Sequence, residues 1–318
     1  MLLLCTWLPV QADPVDALHA AAKSGDTGTI RKLASEGVDI NAPKQGEGGT
    51  PLLTATNWNS FEAVKTLISL GANVNSEVGQ WTPLLRAAGR DTRIVKLLID
   101  AGADVNYADP KFRYTPLSSA AGNRRETFET LTKSGGYTGP FPDTLETVRL
   151  LIKAGANPSH IDSFSESPLR IAMRTDNAEI ARLLLQAGAD VHQRVSAEIG
   201  AQRGDTVLME TISNYSVVRD ISAVRLLLDF GANPNDRNER DYEEDREERG
   251  GGWQGYSVLG YAAKYGFYDV VKVLLESGAD PTLPRTDGAT AYELSHQGKH
   301  PKTAALLKSY VQRTGKNP

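Results

Sequence analysis

The sequence predicts an all-α solenoid of about eight helix-turn-helix repeats with hairpin loops, and three observations carry that expectation. A glycine string recurs seven times: GVDIN from Gly37, GANVN from Gly71, GADVN from Gly102, GANPS from Gly155, GADVH from Gly188, GANPN from Gly231 and GADPT from Gly278. Upstream of most of these stands a second string: TPLLTAT from Thr50, TPLLRAA from Thr82, TPLSSAA from Thr115, SPLRIAM from Ser167, TVLMETI from Thr206 and SVLGYAA from Ser257. Between the two, runs such as IVKLLIDAG (Ile94 to Gly102), IARLLLQAG (Ile180 to Gly188) and VVKVLLESG (Val270 to Gly278) place apolar residues at helical spacing.

Each part of the unit has a local reason. The Thr or Ser oxygen caps free amides at a helix start, Pro fits the first turn, and Leu followed by small residues gives a narrow packing face. The later run forms a second helix, and glycine ends it by taking the left-handed backbone conformation that other residues resist. In order, the repeats read 16–43, 49–75, 81–106, 114–158, 166–192, 205–235, 256–282 and 287–312. One unit cannot bury its apolar face alone, so stacked neighbours supply the stability, and terminal units are atypical because one side meets water. The first, DALHAAAKSGD, lacks Thr-Pro; the last, DGATAYELSHQGKHPKTAALLKSY, lacks the closing glycine string.

These strings closely resemble the ankyrin repeat family, whose unit of about 33 residues carries a TPLHxA string. The resemblance runs from residue 16 to about 310, and it is specific: Thr50 to Gly71, Ser167 to Gly188 and Ser257 to Gly278 are each 21 apart. It implies a protein-binding module without catalysis. It also implies contact positions, at the hairpin tips and just after the small residues of each first helix. The latter read Lys23 and Ser24, Asn57 and Trp58, Gly89 and Arg90, Asn123 and Arg124, Arg174 and Thr175, Asn214 and Tyr215, Lys264 and Tyr265; five are basic, three aromatic and none acidic. In a solenoid such positions line up along the concave surface, which predicts a basic groove with Trp58, Tyr215 and Tyr265 as anchors. Trp81 and Tyr114, each just before a Thr-Pro pair, extend the expected surface at hairpin tips. A plainer reading competes: cations at helix ends suit the dipole and solubility, and the two hairpin aromatics pack on the next hairpin.

Three segments exceed the family's spacing, at 124–144, 193–204 and 236–255, and such insertions usually map to loops on one face. In the fourth repeat, ETFETLTKSGG competes with LETVRLLIKAG as the second helix. The latter has the apolar face, from Val148, Leu150, Leu151 and Ile152. The largest insertion, DRNERDYEEDREERGGGWQG, holds eight acids and four bases. The chain has 39 acids and 35 bases, so 31 of each remain outside it and the formal charge of -4 resides in this run. A solvated loop is the ordinary expectation for such a stretch. The near-neutral remainder gives no global reason to expect nucleic acid.

The opening MLLLCTWLPVQADP has an apolar run from Leu2 to Val10 followed by Gln11 and Ala12, the pattern of a signal peptide over residues 1–12, with a single domain from 13 to 318. The run is far below the ~20 residues that span a bilayer. It lacks the usual Lys or Arg; the alternative is an apolar cap helix, interrupted by Pro9, on a cytoplasmic chain. If the leader is cleaved, Cys5, the only cysteine, leaves with it, and the exported protein, expected in a bacterial periplasm, offers no thiol for a disulfide, zinc site or nucleophile.

Chemistry is sparse. His19, His160, His192, His296 and His300 show no metal spacing, and His19 sits in ALHAA, where the family uses histidine structurally. Gly250, Gly252 and Gly255 satisfy GxGxxG, but a charged run replaces the preceding strand and its acids would repel a pyrophosphate. Asp241, Glu243 and Asp245 alternate without the glycine that an EF-hand loop requires. The expectation is therefore no cofactor, no metal and no catalytic set. The chain reads as a non-enzymatic scaffold or interaction module, monomeric, binding an unidentified protein through Trp58, Trp81, Arg90, Tyr114, Arg124, Arg174, Tyr215, Lys264 and Tyr265. That partner is expected to be acidic or mixed in charge at the groove, with no nucleic acid bound and no membrane span. An alternative is an inhibitor or immunity-type protein whose insertion 236–255 blocks a toxin or enzyme.

Overall fold

The computed structural model describes residues 13–44, 49–122, 143–194, 204–218, 220–237 and 255–315. The leader, Arg124 with the bulk of its insertion, residues 195–203 and the acidic run 238–254 lie outside the described residues. Contacts divide the chain into two compact units, one up to Asn157 and one from Pro158. The first holds α1 (Pro14–Ser24), α2 (Thr27–Ser35), α3 (Pro51–Asn57), α4 (Phe61–Ser69), α5 (Pro83–Ala87), α6 (Thr92–Asp100), α7 (Pro116–Ala121) and α8 (Thr144–Lys153). The second holds α9 (Pro168–Arg174), α10 (Ala178–Gln186), α11 (Val207–Val218), α12 (Ser222–Asp229), α13 (Val258–Lys264), α14 (Tyr268–Glu276), α15 (Ala291–Gln297) and α16 (Pro301–Thr314). Among the described residues, hairpins are held by isolated bridges such as Val78 with Trp81, so the fold is an all-α repeat solenoid.

The hydroxyl of each TPL-type string caps its helix. Thr50 Oγ1 accepts from Leu53 N at 3.2 Å, Thr82 from Leu85 N at 3.2 Å, Ser167 from Arg170 N at 3.3 Å and Ser257 from Gly260 N at 3.1 Å. At the other end of the unit, the seven closing glycines have φ between 85° and 92°, as at Gly102 and Gly278. The residue after each donates back to a carbonyl of the last turn: Ala103 N to Leu98 O and Ala279 N to Leu274 O are both 2.9 Å. A Cβ on these glycines would meet nothing within 4 Å, so conformation rather than space demands glycine there.

Packing follows the repeat. First helices stack in series, α1 on α3, α3 on α5 and α5 on α7 in the first unit, and α9 on α11, α11 on α13 and α13 on α15 in the second. Second helices form another row, α2, α4, α6 and α8. Between the rows lie fully buried Leu18, Ile30, Val64, Leu67, Ile94, Leu98, Val148 and Leu151, and in the second unit Leu169, Ile180, Leu184, Leu208, Leu227, Val270 and Leu274. Each contributes ~2 kcal/mol on leaving water. Hairpins are laced by amides at the end of the glycine string. Asn75 Oδ1 accepts from Asp104 N at 2.8 Å while its Nδ2 donates to Gly102 O at 3.1 Å; Asn106 repeats both bonds to Asn157 N and Gly155 O.

One position in the first helix, the one that Leu53 and Leu85 hold in their repeats, touches the next repeat four residues after its cap. His19 Nδ1 lies 2.9 Å from Thr54 Oγ1, and its Nε2 lies 3.0 Å from Ala42 O. Arg170 occupies the same position and ion-pairs with Glu210. At Gly260 there is no side chain; an added Cβ would stand 3.2 Å from Leu294 Cδ1, tighter than ordinary van der Waals contact.

Candidate protein-binding surfaces

In the first unit, helix ends gather cations on aromatic rings. Lys23, in the last turn of α1, places Nζ 3.8 Å from the centre of the Trp58 ring, which caps α3 and is 52% exposed. Arg86, on α5, stacks its guanidinium 4.3 Å from the Trp81 ring centre, and its Nε donates to Asn57 Oδ1. Arg90 Nη1 donates to the carbonyl of the same Asn57 at 3.0 Å. Burial, and then the nearby Arg90 charge, depress the proton affinity of Arg86. Beside them lies a cleft of about 440 Å³ lined by Lys44, Gly49, Leu53, Thr54, Asn57, Val78, Gly79 and Trp81. At the following hairpin, Tyr114 rests 5.6 Å from Phe112, in a loop that Asp109 organises by accepting from the amides of Lys111, Phe112 and Tyr114.

In the second unit the cations meet carboxylates. Arg174 Nη2 sits 3.0 Å from Glu166 Oε2. Arg170 is 1% exposed; besides Glu210 it donates from Nη2 to Asp205 O at 3.1 Å and to Gln193 O at 3.4 Å. Burial pushes the Glu210 carboxyl up, with Arg170 opposing. Further along is an aromatic cluster. The Tyr215 and Phe267 rings are 5.3 Å apart, Phe267 and Tyr265 6.0 Å, and Tyr265 and Tyr261 4.6 Å; Tyr265 is 46% exposed. Lys264 precedes Tyr265 at the end of α13.

The structure thus groups Trp58, Trp81 and Arg90 in the first unit and Tyr215 with Tyr265 in the second, while Tyr114 sits at its own hairpin and Arg174 is held by Glu166. Arg124 lies outside the described residues. Sequence reading passed over Arg86, Tyr261 and Phe267. The dense run YSVLGYAAKYGFY from Tyr256 to Tyr268 signalled the latter two, and Arg86, four residues before Arg90, the former.

The stem of the acidic insertion is described at its ends. Arg237 bridges to Ser257, and Arg194 donates from Nη1 to Gly204 O at 2.7 Å and to Arg237 O at 3.2 Å, with Nη2 3.3 Å from Asp236 Oδ1. One arginine therefore joins Gly204 to Asp236 and Arg237, the described residues at the edges of two insertions. Among the described residues, no cluster of His, Cys, Asp and Glu could hold a metal ion, and no helix is long and apolar enough to cross a membrane.

The geometry agrees with family comparison. A model described as ankyrin repeats in three copies matches residues 3–78 and 191–285, and a model of the single ankyrin repeat matches 79–110 and 165–195. The chain is similar to the mouse (Mus musculus) B-cell lymphoma 3 protein homolog, 36% identical over 90 residues, covering 28% of this chain and 20% of that protein. It is similar to human (Homo sapiens) ankyrin repeat and SOCS box protein 3, 26% identical over 180 residues, covering 51% and 35%. It also resembles an L-asparaginase of Dirofilaria immitis, 28% identical over 161 residues, covering 50% and 24%. The chain thus spans about a third or less of the length of these relatives. Cap hydroxyls, left-handed closing glycines, stacked helix pairs and matched models converge: this chain belongs to the ankyrin repeat family.

Proposed function

We propose that this chain binds a partner protein, without catalysis, through the ends of its first helices and the adjoining hairpins, since ankyrin repeats generally mediate protein-protein interaction and are typically non-enzymatic. The observation that carries the reading is the exposure of Trp58 and Tyr265 at the ends of α3 and α13, the first under the Lys23 ammonium and the second among the Tyr261 and Phe267 rings. Large aromatic rings at the surface cost solvation and give binding energy when covered. Crosslinking the expressed protein in its source cells tests this: combining Trp58→Ala, Arg90→Glu and Arg174→Glu is expected to abolish capture of the partner, and full retention would refute the surface. Export belongs to the same proposal, supported by the leader-like residues 1–12; N-terminal sequencing that finds Asp13 first supports it, and an uncut chain removes it.

A second reading, the inhibitor with an acidic plug, is supported by the contacts of Arg194 with Arg237 and Asp236, the first residues of the acidic insertion. Deleting 238–252 while the partner is still captured would dismiss it.

A further inference from the structure

Resting on the reading of the first unit as a binding surface, we propose that the cleft between α3 and the hairpin at Val78 and Trp81 is an amide subsite, which takes one amide group of a neutral, extended segment of the partner protein. One face of α3 forms part of it: Leu53, Thr54 and Asn57 all line the cleft, and residues three and four apart on a helix are neighbours. The hairpin forms another wall. It is held by Val78 N donating to Trp81 O at 3.1 Å and Trp81 N to Val78 O at 3.2 Å, so the site is built before any ligand arrives. Its 440 Å³ falls in the ~300–1,000 Å³ range of sites that hold small ligands.

Two hydrogen bonds fix what the cleft offers. Arg86 only donates, so the Asn57 atom that meets its Nε is the amide oxygen, and Asn57 Nδ2 is left as a donor without an acceptor among the described residues. Ala42 O only accepts, so in a neutral His19 ring the proton sits on Nε2, and Nδ1 accepts from the Thr54 hydroxyl. Thr54 Oγ1 has thereby committed its proton and keeps lone pairs that accept from no donor among the described residues. An amide answers both groups: its C=O accepts from Asn57 Nδ2 and its N–H donates to Thr54 Oγ1. The apolar atoms on either side of that amide meet Leu53, Val78 and Trp81. Gly49 adds no side chain over this oxygen; a Cβ there would stand 3.9 Å from Thr54 Oγ1. A carboxylate is the rival ligand, because Lys44 also lines the cleft, but it has no proton to give Thr54 and would set its charge against the threonine lone pairs.

The test is a nuclear magnetic resonance titration of the full chain at about pH 8, where an imidazole is neutral, followed at the indole N–H of Trp81, which Trp81→Phe assigns. The probes are the capped tripeptide Leu-Gln-Leu, its Leu-Met-Leu and Leu-Glu-Leu twins, and Leu-Met-Leu with N-methylated peptide bonds. Where the amide is a side chain's, Leu-Gln-Leu is expected to bind about fivefold more tightly than Leu-Met-Leu, the size of one neutral hydrogen bond. Where it is a main-chain amide, those two bind equally and N-methylation weakens binding about fivefold instead; either result supports the subsite. Asn57→Asp, which keeps an oxygen for Arg86 and removes the donor, should weaken the better probe by the same factor. Gly49→Leu, which fills the space beside Thr54, should abolish binding, and Lys272→Gln, exposed on α14, should leave it unchanged. Thermal melts monitor folding; should either cleft variant fail to fold, the other serves. Tighter binding of Leu-Glu-Leu than of Leu-Gln-Leu, no loss from either amide change, unchanged affinity in the folded variants, or no binding of any probe would each overturn the subsite. Failure of every probe, with the partner still lost from the combined Trp58, Arg90 and Arg174 variant, would remove the cleft and leave the general binding function standing.

Discussion

The two units share one backbone plan and treat their arginines in opposite ways. In the first, Arg86 rests on the Trp81 ring and donates to the Asn57 side chain, and the Asn57 carbonyl accepts from Arg90. In the second, Arg170 and Arg174 meet Glu210 and Glu166. Arg86 and Arg90 stand one residue later in the repeat than Arg170 and Arg174, and that one-residue offset changes which neighbours each cation meets, because those neighbours come from other positions or another repeat. A stripe of basic residues along repeat positions is a count of charges; the available charge is what remains after pairing.

The widest perturbation asks whether the shared plan holds. Leu98→Asp and Leu184→Asp each put a carboxylate at a site of 0% exposure, and each should cost more than about 4 kcal/mol and unfold beyond its own repeat, seen as loss of helical circular dichroism. An unchanged melt for Leu184→Asp would contradict the stacked core.

Next comes the contrast in arginines. Arg170→Met should cost about 3–5 kcal/mol in chemical denaturation by stranding Glu210, with Glu210→Met in the same chain restoring most of it. The cost should also depend on pH. Burial holds the Glu210 pKa above its ordinary 4.5, so the stability tied to this group is fully present below that value and is lost as pH rises through the folded pKa. Removing Arg170 takes away an opposing influence, so the destabilisation should grow as pH rises above the ordinary value of 4.5; a pH-independent cost would break the comparison.

Gly71→Ala and Gly231→Ala, at φ of 86° and 91°, should each cost about 1–2 kcal/mol and by similar amounts, since the scaffold is common to both units. The smallest effect is expected for Arg86→Gln, under about 1 kcal/mol, because its stacking on Trp81 contributes little to folding. A loss as large as that of Arg170→Met would erase the difference between the units.

Much of the fold was legible because its signals are local. A hydroxyl before Pro-Leu caps the helix it starts, and a glycine closing a run takes positive φ whatever surrounds it. The surfaces were legible only as positions. Nothing near Arg174 in the fourteen contact positions is acidic, yet Glu166 reaches it from the hairpin before the cap. Arg170 looked like one more charge on a short helix. Its register was the missed signal, since Leu53, Leu85 and Met209 stand at the same place in other repeats and are buried. Tyr261 and Phe267 were overlooked because they flank the expected position and meet Tyr265 only once the turn folds.

The contact from the His19, Arg170 and Gly260 position to the fourth residue past the next repeat's cap has a genealogical consequence. Tandem arrays grow and shrink by slippage of whole units, and interchangeable units tolerate that. Here the joints are keyed: His19 to Thr54, Arg170 to Glu210, and an empty Gly260 to Leu294. Excising the repeat that begins at Thr206 would set Arg170 against Tyr261, leaving a buried guanidinium facing a phenol ring instead of its carboxylate. Such joints make the order of units heritable, so that a shortened array must re-cut its keys before it folds as well as its parent.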